Sequence, residues 1–153
     1  MKLVIAADPF AAELKTALVE HLAGRRIDVL TVAGDDNMPY YESGAIAAKM
    51  VQQHEADGAI LLCGTGAGMS IVANKFAGIT AVCVESAFAA GRAKAINRAN
   101  VLTLGAMIVG KTMACAMADA WIDTKYNEGL EDLSEFLDTA AEAVNGIDAA
   151  NRR

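Results

Sequence analysis

Gly58-Ala59-Ile60-Leu61-Leu62-Cys63-Gly64-Thr65-Gly66-Ala67-Gly68 joins an uninterrupted apolar run to a loop with glycine at every second position. A short run without polar alternation is the pattern of a strand buried on both faces, and such strands belong to parallel sheets covered by helices. The glycines permit backbone conformations closed to other residues. Several N–H groups can therefore converge on one point beside the N-terminus of the next helix, a geometry that stabilises an anion.

The flanking sequence repeats the same alternation. Upstream, Leu3 to Ala7 reads as a buried strand and Ala11 to Ala23 as an amphipathic helix with Leu14, Ala17, Leu18 and Leu22 on one face, stopped by Gly24. Ile27 to Val32 is a second strand, and Pro39 opens a helix from Tyr40 to His54 after the polar loop Gly34-Asp35-Asp36-Asn37-Met38. Downstream of the glycine loop come a short helix, Gly68 to Phe76, a strand from Ile79 to Val84 and a helix from Phe88 to Arg98. A strand from Val101 to Leu104 and a helix from Ile108 to Thr124 complete the series. Five apolar strands alternating with helices specify an α/β fold, a parallel sheet covered on both faces, with right-handed crossovers fixing most of the topology.

After Tyr126-Asn127-Glu128-Gly129, one more helix, Leu133 to Val144, has no strand to return to. Its apolar side, Leu133, Phe136, Leu137, Ala140 and Val144, is expected to pack on the domain or on a second subunit. Residues 1–147 read as a single domain and 148–153 as a frayed tail.

Composition narrows the function. The chain has 153 residues, 54% hydrophobic and only 5% aromatic, so its core is built from Ala, Val, Ile, Leu and Met. Thirteen basic against 19 acidic residues leave a net charge of −6, which does not supply the basic face that nucleic acid requires. The N-terminus is too short an apolar run for a signal peptide, and no stretch reaches membrane-spanning length. Cys63, Cys83 and Cys115 have no CxxC spacing and only two His accompany them. Neither a metal site nor a disulfide framework is indicated, and a reducing, cytoplasmic setting is implied.

In an open α/β sheet, ligands sit beyond the carboxyl ends of the strands, and Cys63 is the last residue of a central one. A thiol beside an anion hole can serve as base or nucleophile, since the field that holds an oxyanion also stabilises a thiolate. Spacing alone leaves open the alternative that Cys63 is a buried core thiol. Asp8, at the end of the first strand, reads equally as a contact for substrate hydroxyls and as a cap for the helix that follows. Cys83 and Cys115 read as core residues, His21 and His54 as solvated positions near helix ends, and Trp121 as core or interface.

With these residues in place, the chain resembles the type B ribose-5-phosphate isomerases and the related galactose-6-phosphate isomerases over roughly residues 2–130. The likeness rests on Cys63-Gly64-Thr65-Gly66-Ala67-Gly68-Met69-Ser70, Ala73-Asn74-Lys75-Phe76-Ala77-Gly78-Ile79, Asn97-Arg98-Ala99-Asn100-Val101-Leu102, and Ala120-Trp121 with Lys125-Tyr126. The resemblance implies a Rossmann-like three-layer sandwich around a five-stranded parallel sheet, with an extra C-terminal helix. It further implies a homodimer or dimer of dimers with the site at the subunit interface, and a cofactor-free, metal-free aldose–ketose isomerisation through a cis-enediolate. By that likeness Cys63 is the base, Thr65 assists proton transfer, and Asp8 contacts hydroxyls. The loop N–H groups of Gly64, Gly66, Ala67, Gly68, Met69 and Ser70 hold the enediolate oxygen, and Asn97 arrives from the partner subunit.

The departures fall on ring opening and phosphate capture. The family's Asp-His pair after the first strand is here Asp8-Pro9, and the histidine before its Asn is here Ile96. Isoleucine cannot shuttle a proton to a ring oxygen. The family arginine of the fifth-strand loop aligns with Met107, and its Arg-rich segment with Leu130-Glu131-Asp132. Arg92, Lys94 and Arg98 remain as candidate sources of positive charge. A tetrose or pentose phosphate of the erythrulose 4-phosphate or ribose 5-phosphate type is the expected substrate. The alternatives are a non-phosphorylated sugar, or a silent sugar-binding subunit paired with an active paralogue.

Overall fold

The computed structural model describes residues 1–152. Five parallel strands, β1 (Lys2–Ala7), β2 (Asp28–Thr31), β3 (Gly58–Cys63), β4 (Ala81–Cys83) and β5 (Val101–Gly105), lie in the order β2-β1-β3-β5-β4. Six α-helices accompany them: α1 (Ala12–Gly24), α2 (Tyr40–Gln52), α3 (Ala67–Ala73), α4 (Ala87–Asn97), α5 (Lys111–Asp123) and α6 (Ser134–Asn151).

Alternate residues of the central strands feed two cores. Leu3, Ile5, Ile60, Leu62, Leu102 and Leu104 pack against α1, α4 and α5, whereas Val4, Ala6, Ala59, Leu61 and Cys63 pack against α2 and α3. The result is the Rossmann-like three-layer sandwich expected from the sequence. Trp121 is a core residue, its indole N–H donating to the Ala99 carbonyl at 3.1 Å.

The chain leaves β1 toward β2 and returns on the other side to β3. The carboxyl ends of β1 and β3 therefore flank the point where strand order reverses, where doubly wound sheets leave a crevice.

Several expectations are corrected. Edge strand β4 is shorter than 79–84, and its open edge is capped by the Asn74 side chain, which accepts the Ala81 N–H at 2.9 Å and donates to the Ala81 carbonyl at 2.8 Å. Helix α5 begins at Lys111 rather than Ile108, since the N–H groups of Ile108 and Val109 turn back to the Gly105 carbonyl. His21 is half-buried and partnered rather than freely solvated: its Nε2 lies 2.7 Å from Asp119, which also accepts from Arg25 at 2.7 Å and so clasps α1 to α5. Burial pushes the Asp119 carboxyl up, but the bonds from His21 and Arg25 outweigh it and hold the group below the usual carboxylate range.

The expected frayed tail is helical to Asn151; Arg153 lies outside the described residues. Arg152 bonds Asp148 at 2.6 Å and the Lys75 carbonyl at 2.8 Å, tying the tail back to the end of α3. Helix α6 itself buries only Leu137 and leaves Phe136, Val144 and Ile147 exposed. Among the described residues no helix is long and apolar enough to cross a membrane.

Candidate active site

Strand β3 ends at Cys63, and its sulfur accepts the Gly66 N–H at 3.1 Å. Gly66 adopts φ +80°, a left-handed conformation, and a Cβ there would lie 2.8 Å from the Leu104 carbonyl carbon and 2.9 Å from Cys83 Sγ. Gly105 supplies the other half of the seat, because a Cβ on it would meet the Thr65 backbone at 2.6 Å. Two further bonds, Ala106 N–H to the Cys63 carbonyl at 2.8 Å and Met107 N–H to the Gly64 carbonyl at 2.9 Å, fasten this turn to the loop after β5.

One strand over, the Asp8 N–H donates to the Leu62 carbonyl at 3.1 Å. The Asp8 carboxylate caps the 3-10 turn Pro9–Ala11, accepting the Phe10 N–H at 3.1 Å. The capping reading of Asp8 is observed, on a 3-10 turn, and the same residue lines the crevice. It is 7% exposed, and this burial pushes its carboxyl above the usual range, although the N–H groups of Phe10 and Ala11 pull the other way.

Asp8, Cys63, Gly64, Thr65 and Gly68 come together in a cleft of about 350 Å³ that Phe10, Tyr40 and Met107 complete. The other residues singled out in the sequence are placed differently. Gly66 is buried beneath the turn, Ala67 is exposed outside the lining, and the Met69 side chain is wholly buried against α2. The Ser70 hydroxyl is committed to the Ala81 carbonyl at 3.2 Å. The first backbone bond into α3 runs from the Ser70 N–H to the Gly66 carbonyl, so the N–H groups of Ala67, Gly68 and Met69 precede the helical ladder.

Asn97 does not join the cleft. It ends α4, four residues before β5 begins, and lines a groove with Thr80, Arg98 and α6. The α4 cations are occupied as well: Arg98 pairs with Asp138 and covers the Tyr126 ring, Arg92 donates to the Glu128 carbonyl at 3.2 Å, and Lys94 lies 4.8 Å from the Trp121 ring centroid. Burial pushes the Lys94 ammonium down. None of the three lines the cleft, whose lining among the described residues holds one charged side chain, Asp8, and no imidazole.

Sequence reasoning missed Tyr40, Phe10 and Cys83. Tyr40 follows Pro39 at the start of α2 and packs so closely that a Cβ on Gly68 would lie 2.7 Å from its ring. Cys83 is an exposed residue rather than core; its thiol donates to the Thr65 carbonyl at 3.6 Å, beneath the turn. It is the last residue of β4, which ends one residue short of Val84. Cys115 is half-buried against the α1/α4/α5 core, in keeping with its expected place.

Comparison with known proteins agrees with this fold. The family described as Ribose/Galactose Isomerase matches residues 3–136. The 4-deoxy-4-sulfo-D-erythrose isomerase of Clostridium sp. (strain MSTE9) is 40% identical over 152 residues, covering 97% of this chain and 96% of that one. Ribose-5-P isomerase B of Listeria innocua is 33% identical over 144 residues, with 90% and 97% covered. Among solved structures, the ribose-5-phosphate isomerase B of Clostridium thermocellum superposes with a TM-score of 0.90 at 28% identity, over 99% of this chain and 100% of that one. This chain belongs to the ribose/galactose isomerase family and is a sugar isomerase.

Proposed function

We propose that this chain interconverts the aldose and ketose forms of a four-carbon sugar carrying an anionic group at C4, with 4-deoxy-4-sulfo-D-erythrose as the first candidate. The observation that carries the reading is the composition of the cleft. Among the described residues of one chain, it keeps the thiol, the glycine turn and Asp8, with no imidazole and no cation in its lining. An aldotetrose whose C4 hydroxyl is esterified or replaced cannot close a furanose, so it needs no ring-opening acid. A sulfonate carries a single negative charge where a phosphate monoester approaches two, and it makes the smaller demand on a lining that has no arginine among the described residues. The 40% identity to the Clostridium enzyme, running nearly end to end, supports the same substrate class.

In this reading the Cys63 thiolate removes the C2 proton of the aldose, and the C–H electron pair becomes the C1=C2 bond of a cis-enediolate. The N–H groups of Ala67, Gly68 and Met69, which precede the α3 ladder, meet the oxygen that takes up the charge. Thr65 relays the proton between O1 and O2, and the Cys63 thiol returns its proton to C1 to give the ketose. Asp8 accepts from substrate hydroxyls and needs no cofactor beside it.

A second copy of the chain completes the site. The apolar side of α6, with Phe136, Val144 and Ile147 exposed, supports a homodimer or dimer of dimers in which Asn97 of one copy reaches the cleft of the other. Mixing Cys63→Ala protein with Asn97→Ala protein restores turnover if the site is shared, and restores none if each chain works alone.

The substrate is tested by incubating the protein in D₂O with 4-deoxy-4-sulfo-D-erythrose, D-erythrulose 4-phosphate and D-ribose 5-phosphate, following deuterium at C1 and C2 by NMR. Exchange with the two tetroses but not with ribose 5-phosphate is expected. Exchange with none of them sinks the reading; faster exchange with ribose 5-phosphate moves it to pentoses.

A further inference from the structure

Strand β1 outruns its neighbour on one side. Its register with β2 stops at Ile5 opposite Thr31, while its register with β3 continues to Ala7 opposite Leu62. Successive N–H groups of a strand point to opposite sides, and the Asp8 N–H is taken by Leu62 of β3. The Ala7 N–H therefore points to the β2 side, where the sheet has already ended. Left there, it is a buried donor with no strand to receive it.

Asp35 fills that gap. Its Oδ2 accepts the Ala7 N–H at 3.0 Å, and its Oδ1 is paired with the ammonium of Lys15 from α1. Asp35 is 1% exposed and the Lys15 side chain 14%, so this is an ion pair drawn almost wholly out of water. A buried carboxylate is costly unless neutralised and hydrogen-bonded, and here each oxygen has its own partner. A hydroxyl or amide side chain would satisfy one N–H at lower cost. The charged form adds stiffness, because displacing Ala7 breaks a charge-assisted bond and strands a carboxylate.

The residue so anchored precedes Asp8 and pairs with the residue that precedes Cys63. We infer that Lys15 and Asp35 are positioning residues, which hold the end of β1 so that the Asp8 carboxylate stays in register with the Cys63 sulfur. Neither residue lines the cleft, and both act through Ala7. The inference rests on the reading of Asp8 as a substrate contact.

The test is a set of variants, Asp35→Ala, Asp35→Asn, Lys15→Met and Lys15→Arg, each made alone, and the first three also combined with Asp8→Asn. Exchange kinetics are measured on preparations whose fold is checked by circular dichroism. Asp35→Ala and Lys15→Met are expected to lower kcat/KM by about tenfold or more. Asp35→Asn keeps an oxygen for the Ala7 N–H and falls between Asp35→Ala and wild type, while Lys15→Arg restores most of the rate. In the Asp8→Asn background the same changes cost little, since there is no carboxylate left to position.

A merely structural role gives penalties that multiply to within about twofold, and that outcome overturns the inference, as does wild-type turnover in Asp35→Ala. If Asp35→Ala does not fold, Asp35→Asn and Lys15→Met carry the same comparison. Full activity in Asp8→Asn alone is a different failure: it removes the reading of Asp8 and not only its support.

Discussion

Asp8 and Cys63 stand at the carboxyl ends of neighbouring parallel strands, and the Asp8 N–H fixes one against the other by donating to the Leu62 carbonyl at 3.1 Å. Because strand order reverses between β1 and β3, this pair borders the crevice that the topology leaves open. The carboxylate and the thiol reach it by different routes. Asp8 arrives on a 3-10 turn it caps itself, and Cys63 on the strand whose glycine turn folds back over its sulfur.

Removing the sulfur separates chemistry from fold. Cys63→Ala deletes one small buried side chain and the acceptor of the Gly66 N–H, so the protein is expected to remain folded. Exchange of the C2 proton is expected to fall by about 100-fold to 10,000-fold, the usual contribution of a positioned base. Deuterium incorporation from D₂O and a thermal melt on the same preparation check both halves. Exchange retained at the wild-type rate would mean that another group is the base.

If Asp8 contacts substrate as proposed, Asp8→Asn is expected to lower activity without lowering stability. Burial raises the Asp8 carboxyl above its unfolded value. The protonated form is thus favoured by folding, and that contribution is lost as pH rises through the folded value, so at neutral pH the ionised group is a net cost. Asparagine keeps a capping oxygen for the Phe10 N–H and carries no charge. Its melting temperature at pH 7 is expected to equal or exceed that of wild type, and the difference should vanish as pH is lowered through the Asp8 titration. A loss of stability at pH 7 would show that the charge itself is needed by the fold.

Much of this arrangement was legible in the sequence because it depends on local patterns. The apolar run 58–63 announces a buried strand, the alternating glycines announce a turn at its end, and the pairing of strand ends follows from parallel topology. Cys83 and Tyr40 were not legible because their roles arise from tertiary contact. Whether a thiol lies inside a strand or at its last residue depends on where pairing with the neighbouring strand stops, here Cys83 opposite Thr103. His21 is a similar case, since its partner Asp119 is 98 positions away and nothing local points to it. The Arg92, Lys94 and Arg98 cluster read as a source of positive charge, but folding assigns each cation to a neighbour on its own side of the molecule.

Gly105 is where a single methyl group should unseat the turn. A Cβ at this position would lie 2.6 to 2.7 Å from three Thr65 backbone atoms, and backbone cannot swing aside as a long side chain can. Gly105→Ala is expected to lower stability by about 1–3 kcal/mol and to reduce turnover further than that loss explains, because Thr65 and Gly66 move relative to Cys63. Denaturant unfolding and kcat measured below the unfolding range separate the two effects. Gly110→Ala, at a position with open space around it, is the control and should leave both unchanged.

The three thiols should label in an order set by their surroundings. Cys83 is exposed, whereas Cys115 is half-buried and its thiol is pushed up first by that burial and then by the nearby Asp119 carboxylate. At pH 7.5 iodoacetamide is expected to modify Cys83 well before Cys115, with peptide mass spectrometry giving the time course at each site. The Cys83 adduct should also inactivate, because Sγ lies where only a glycine at position 66 leaves room and carries the bond to the Thr65 carbonyl. In Cys83→Ser protein that phase disappears, and any inactivation left should follow modification of Cys63 and be slowed by substrate. Full activity in protein modified at Cys83 would show that the turn tolerates movement on that side and is held by its contacts with the loop after β5.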